Sequence, residues 1–381
     1  MKKAIALLCV FVLTLSLCGC EFEHREAFER TKTADFSLIP SLSENFNNNY
    51  SFYDSFAASK DICFYSTYGY ENNYLYTFYK GEKFMLLTDG SLKNMAINGN
   101  FHLAGDSLYF DTVSNEYDDY KYYIYRYNLP QKKYEQIYIL ENAENWTVTG
   151  KYIVYMNYYS KNDGFNVLYF YDTQTKRNQC VASEIEAFSV VNSKIRYISF
   201  DGKKYSLYEY VFTSNTSKVI AQFKGYSIKE TVQYGFTENG IVMLPDTQNQ
   251  YAEKCEYSIF DIKSDKTSKY TLPNGLPYFT AADNYAYIIC EPDSEKEYDL
   301  KDYGIFSDNA YDIYRVNLAS GKYELLDIPS TDYSRLYVVD DNEIYILNAK
   351  DGISGYNRKD TTVVYRFSAT NKKSEKIFEY K

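Results

Sequence analysis

The stretch YYIYRYNL, residues 122–129, is the pattern on which most of the chain is written. A β-branched residue or leucine, then tyrosine, then an aromatic or β-branched residue two places on, runs through seven units after residue 60, unit five departing with Glu256 before its tyrosine. The tyrosine falls at Tyr76, Tyr125, Tyr169, Tyr208, Tyr257, Tyr314 and Tyr365. A second landmark, an apolar residue just after a small polar turn, falls at Ile62, Leu108, Ile153, Ile195, Ile241, Ala286 and Ile344, with spacings of 46, 45, 42, 46, 45 and 58. A period near 45 residues is that of four-stranded propeller blades, and too long for leucine-rich or β-helix coils. An extra loop between Glu291 and Asp308 accounts for the one long interval.

Within a unit the periodicity is that of strands. In residues 97–140, FHLA (101–104), LYFDT (108–112), YYIYRYNL and YEQIYIL (134–140) are short, rich in tyrosine and β-branched residues, and bounded by Gly, Asn, Asp or Pro. The turns between first and second strands share one chemistry: Lys60-Asp61, Gly105-Asp106, Gly150-Lys151, Asn192-Ser193, Asn239-Gly240, Asp283-Asn284 and Asp341-Asn342. Asn, Asp and Gly tolerate the positive φ that two-residue hairpins require. The expected fold is all-β: a seven-bladed β-propeller with four antiparallel strands per blade. The last unit is complete by pattern, and the first is too if YSFYDSFA (50–57) supplies its first strand. The 46 tyrosines suit sheets covered on both faces, because large rings fill the widening space between blades while the phenol still reaches water or backbone.

Before the repeats, MKKAIALLCVFVLTLSLCGC carries two lysines, an apolar core too short to span a bilayer, and Leu17-Cys18-Gly19-Cys20. That ending resembles the lipobox of bacterial lipoproteins, which makes residues 1–19 a signal peptide and Cys20 the lipid-attachment residue. Two acyl chains there suffice for stable anchoring at the extracytoplasmic face of the cell membrane. Residues 20–49 then read as lipidated cysteine plus tether, holding the 50–381 domain roughly 30 Å from the bilayer.

Without residues 1–19 the chain loses two lysines and no acids, taking the net charge from −10 to −12. That disfavours nucleic acid as a partner. The third-to-fourth turns carry Lys80, Lys83, Lys132, Lys133, Lys176, Arg177, Lys263, Lys266, Lys322, Lys372 and Lys373. The long loops carry Glu116, Asp118, Asp119, Glu291, Asp293, Glu295, Glu297, Asp299, Asp302 and Asp308. A basic turn face and an acidic loop face are therefore expected.

No catalytic constellation emerges. Gly105-Asp106-Ser107-Leu108 spells an esterase signature, yet it occupies a hairpin turn and no histidine follows His102. His24 and His102 are the two histidines, too few for a usual metal site, and no cofactor is implied. Cys63, Cys180, Cys255 and Cys290 lack C-x-x-C spacing; Cys255 and Cys290 fall in adjacent blades and are the pair to test for a disulfide. Candidate ligand-face residues are Tyr117, Asp118, Asp119, Asp293, Glu295, Asp299 and Tyr356 on the long loops, the last in NAKDGISGYNRKDTT (348–362).

The turn, the I-Y-x-x strand and the second strand, IYRYNL at 124–129 and IYRVNL at 313–318, resemble a family of bacterial surface propellers described as domains of unknown function, often on Gram-positive lipoproteins. The resemblance covers about residues 50–381; unit five departs most, with EYSIFDI in place of the I-Y-R core. It implies a fold and carries over no catalytic residue. The expected role is a monomeric, membrane-anchored binding or assembly module for a protein or glycan at the long-loop face. The rivals are a propeller enzyme at the funnel mouth, acting on polysaccharide or another small substrate, and a sensor or accessory subunit of a surface complex.

Overall fold

A computed structural model describes residues 56–59, 62–68, 73–79, 82–88, 95–97, 100–114, 121–141, 143–160, 164–224, 232–245, 255–272, 278–281, 284–290, 310–331, 335–339, 341–349 and 362–380. These residues form seven antiparallel sheets in chain order: blades 1 to 7 span 56–88, 95–141, 143–182, 185–223, 232–272, 278–331 and 335–380. Six blades hold four strands paired in sequence order. In blade 2 the first strand is split into Met95–Ile97 and His102–Ala104, both paired with Ser107–Ser114. The break falls beside Asn100, whose backbone N–H and side-chain amide both bond to the Asp111 carboxylate instead of a neighbouring strand.

First strands of successive blades touch one another, and the first strand of blade 7 touches that of blade 1, so the sheets close a ring. Among the described residues each terminal blade is built from its own strands, Phe56–Thr88 and Arg335–Tyr380, with none shared between the two. The described first strand of blade 1 is Phe56–Ser59, later than the pattern at 50–57 suggests; residues 50–55 lie outside the described set.

The core lies between blades. One apolar cluster joins blades 2 and 3 through Tyr109, Ile124, Trp146 and Tyr169; others join 3 to 4, 4 to 5, 5 to 6 and 6 to 7. In blades 1 to 4 the repeat tyrosine stacks on an aromatic directly across the ladder: Tyr76 on Tyr65 at 5.4 Å, Tyr125 on Phe110 at 5.6 Å, Tyr169 on Tyr155 at 5.5 Å and Tyr208 on Tyr197 at 4.8 Å. Such cross-strand rings are the stabilising unit of a sheet, each pair worth about 0.2–1 kcal/mol. The partner stands two residues beyond the second-strand landmark.

That register corrects two sequence assignments. In blade 1, Tyr65 opposite Tyr76 makes Cys63 the landmark, not Ile62. In blade 5, Met243 lies opposite Ser258, so Ser258 takes the repeat place and Tyr257 faces the other side, fully buried in the cluster shared with blade 6.

The turns behave as their residues dictate. Asn192 and Ser193 both take left-handed φ, +50° and +58°, as a type I′ hairpin demands. Gly105, in the esterase-like tetrapeptide, is the first residue of an ordinary two-residue hairpin.

Candidate functional site

Charged residues tie strands together within blades, and two arginines, Arg196 and Arg315, reach the next blade. Three blades repeat a rung across strands two, three and four: Tyr109–Arg126–Glu135, Tyr287–Arg315–Glu324 and Tyr345–Arg366–Glu375. Each arginine bonds to its tyrosine and its glutamate; Arg315 Nη1 lies 3.1 Å from Glu324 Oε1 and Arg366 Nη2 2.9 Å from Glu375 Oε2. Arg315 also reaches the next blade, donating to the Asp341 carbonyl at 2.7 Å while its guanidinium lies 3.4 Å from the Tyr285 ring centre. Blade 4 inverts the order: Arg196 on strand two pairs with Glu209 on strand three and donates to the Thr237 and Glu238 carbonyls of blade 5. Lys194, Arg196 and the Lys218 ammonium hold Glu209; despite burial, the first two keep its carboxyl below the usual carboxylate range.

A second buried group sits between blades 2 and 3. Asp111, fully enclosed, accepts from Asn100 and, at 3.1 Å, from Trp146 Nε1. The His102 imidazole packs edge-on against Trp146 at 4.4 Å. Among the described residues neither ring nitrogen finds a hydrogen-bond partner; burial dominates and lowers the His102 pKa to about 3, although the nearby Trp146 main chain favours the charged ring. His102 is thus a packed residue of the interface between blades 2 and 3.

On the long-loop face the described residues show one unusual feature. The second and third strands of blade 3, Tyr152–Ser160 and Gly164–Asp172, run nine residues each and pair out to Ser160–Gly164. Their ends pass beyond the covering blades, and Tyr158, Tyr159 and Phe165 stand 56%, 48% and 57% exposed. Phe165 contacts both tyrosines, at 6.0 Å and 5.2 Å between ring centres. The hairpin is tied near its tip: the Phe165 carbonyl accepts from Glu184 N–H at 3.0 Å, and the Glu184 carbonyl from Ser199 Oγ at 3.2 Å.

Two residues on from Glu184, at the loop-side end of the first strand of blade 4, stands Glu186. The residue is exposed, and the partial burial of its carboxyl pushes its pKa up. It neighbours Tyr205 and Tyr234, which hydrogen-bond one another and whose own pKa values are raised, first by burial. Among the described residues no group of three His, Cys, Asp or Glu could hold a metal ion.

The ligand-face residues expected from sequence, Tyr117, Asp118, Asp119, Asp293, Glu295, Asp299 and Tyr356, lie outside the described residues, as does Cys20. So do the side chains of Cys255 and Cys290; Cys63 is buried and Cys180 exposed. The aromatic hairpin was missed because YIVYMNYYS reads as an ordinary packed strand; the available signal was its length, nine residues where the blade 4 counterpart has seven.

No family model matches the chain, and no curated protein matches it in sequence. Solved structures match in fold. A prolyl endopeptidase studied for inter-domain dynamics in catalysis and specificity gives a TM-score of 0.52 at 11% identity, covering 95% of this chain and 54% of the other. This chain therefore spans about half the length of that enzyme. An oligogalacturonate lyase from Vibrio parahaemolyticus gives 0.48 at 11% identity over 84% and 85% of the two chains. The β-propeller domain of the Trilobed protease from Pyrococcus furiosus gives 0.45 at 15% identity over 75% and 96%. At such identities the likeness is one of fold alone: the chain is a seven-bladed β-propeller.

Proposed function

We propose that this chain is a lipid-anchored propeller of the extracytoplasmic membrane face, related to the tyrosine-rich surface lipoproteins that its repeats resemble. It serves as a binding or assembly module for a protein or glycan at the long-loop face. The observation that carries this reading is the exposed aromatic trio Tyr158, Tyr159 and Phe165. Aromatic side chains left in mutual contact yet half in water are costly on a surface and are enriched where partners dock. Tyrosine supplies large, amphipathic contact area, and ring faces also stack on the apolar faces of sugars.

The test is capture from surface extracts, alongside a glycan array, with the intact chain and with Tyr158→Ser/Tyr159→Ser/Phe165→Ser. A specific partner lost in the triple variant supports the reading; capture indifferent to these three residues removes its basis.

Glu186 favours a second reading, an enzyme at the mouth. A carboxyl with raised pKa beside two tyrosines is suited to proton transfer. Glycoside hydrolysis requires a second carboxylate about 5–10 Å away, and the groups placed beside Glu186 are phenols. Turnover on a polysaccharide panel that vanishes in Glu186→Gln would establish catalysis instead.

A further inference from the structure

The turns joining third to fourth strands lie on the face opposite the long loops. In six blades they share one geometry, ending on a residue of left-handed φ: Lys132 (+52°), Lys176 (+58°), Asn215 (+55°), Asp265 (+53°), Gly321 (+67°) and Lys372 (+53°). Asn, Asp and Gly tolerate that conformation; lysine holds it at a cost. Three blades nevertheless place lysine there, directly before the fourth strand.

The cations are not offset locally. Lys132, Lys133, Lys176, Arg177, Lys322 and Lys373 are exposed, and among the described residues they enter no ion pair. The carboxylates nearest them are already engaged: Glu135 by Arg126, Glu375 by Arg366, Glu324 by Arg315 and Lys372, and Asp172 by Lys151 at 2.7 Å and the N–H groups of Gln174 and Thr175. In ring order the six cations belong to blades 6, 7, 2 and 3, with blade 1 between 7 and 2. Blade 5 adds exposed Lys263 and Lys266 on either side of Asp265, and blade 4, with Asn215 at the turn position, interrupts the ring of cations. A chain of net charge −10 thus gathers unpaired positive charge on one arc of one rim.

We propose that this arc docks onto an anionic phospholipid bilayer, engaging headgroup phosphates as an array. Cations carried on separate turn tips suit a planar polyanion, which meets several at once. Each lysine or arginine close to an anionic leaflet strengthens binding about fivefold. The long-loop face, with its aromatic hairpin, then faces away from the membrane.

The full chain carrying Cys20→Ala, without the proposed lipid acceptor, is sedimented with vesicles of phosphatidylcholine alone and of phosphatidylcholine mixed with phosphatidylglycerol. Any contribution of the apolar N-terminal stretch is common to both vesicles, so the ratio of the two affinities is read. We expect a preference for the mixed vesicles that fades with salt and falls at least about tenfold in Lys132→Glu/Lys133→Glu/Lys176→Glu/Arg177→Glu. Lys203→Glu/Lys204→Glu, on the opposite face, should leave it intact. Lys132→Gly/Lys176→Gly removes two charges where glycine is preferred, so it should weaken the preference with thermal stability unchanged or raised. No preference, equal loss in the opposite-face variant, or tight saturable binding of soluble short-chain phosphatidylglycerol, which would mean a headgroup pocket, overturns the proposal.

Discussion

Asp341 of blade 7 accepts through its carbonyl from Arg315 Nη2 at 2.7 Å and from the Tyr287 hydroxyl at 3.1 Å, both in blade 6. Its carboxylate takes the Asn284 backbone N–H of the same blade at 2.8 Å. One turn residue thus gathers three residues of its neighbour, and the interface is polar at the turn face where it is apolar further in.

Arg315→Ala should therefore lower stability by about 2–4 kcal/mol, since it strips a buried cation from partners left enclosed. Arg126→Ala, in the equivalent rung but with a side chain 36% exposed, should cost under about 1 kcal/mol. Thermal or denaturant unfolding of the two variants checks the ranking, which the reverse order would contradict.

Two glycines are fixed by close approach. A Cβ on Gly240 would lie 2.1 Å from the Phe260 backbone oxygen, and one on Gly321, already at φ +67°, 1.8 Å from Tyr270 Cε1. Gly240→Ala should destabilise by at least about 2 kcal/mol, because backbone cannot step aside. Gly321→Ala should cost less if the Tyr270 ring swings away. Midpoint shifts in unfolding give both values.

His102 makes stability pH-dependent. Its folded pKa of about 3 lies below the unfolded value of about 6.5, so the unfolded chain binds the proton more readily. The neutral ring's contribution is fully present above pH 6.5 and is lost as pH falls toward 3, at up to about 1.4 kcal/mol per pH unit. His102→Phe should flatten that part of the curve relative to the parent; parallel curves would show that the ring is charged or solvated in the fold.

Tyr158→Ser/Tyr159→Ser/Phe165→Ser should change stability by no more than about 0.5 kcal/mol per site, because the rings lie outside the core. A large drop in the unfolding midpoint would mean that they pack as structure.

The repeat was legible because each blade must bury both faces with the same few shapes: Tyr125, Tyr169 and Tyr208 recur once per unit after Leu108, Ile153 and Ile195. Where two aromatics compete, spacing alone slips by one residue. Spacing points to Tyr257 where the fold places Ser258, because the ladder, not the local pattern, decides which side chain faces Met243. The rungs were in plain view as an arginine nine residues before a glutamate, at 126 and 135, 315 and 324, and 366 and 375, but their meaning depends on knowing that strands three and four pair there. Asp111 and Trp146, 35 residues apart and in different blades, leave no local trace. The acidic loops drew attention by charge, whereas the hairpin beside Glu186 differs from its neighbours by reach, a property of the folded ring.

The join between blades 7 and 1 has a mechanical consequence. Elsewhere the peptide chain itself leads from one blade into the next; here neither sheet lends the other a strand, and the contact includes side chains such as Phe56 against Tyr337, 6.4 Å apart edge to face. Like a bracelet with a press-fit catch, the molecule should spring open first at that catch under heat or pulling, with the remaining wedges still nested.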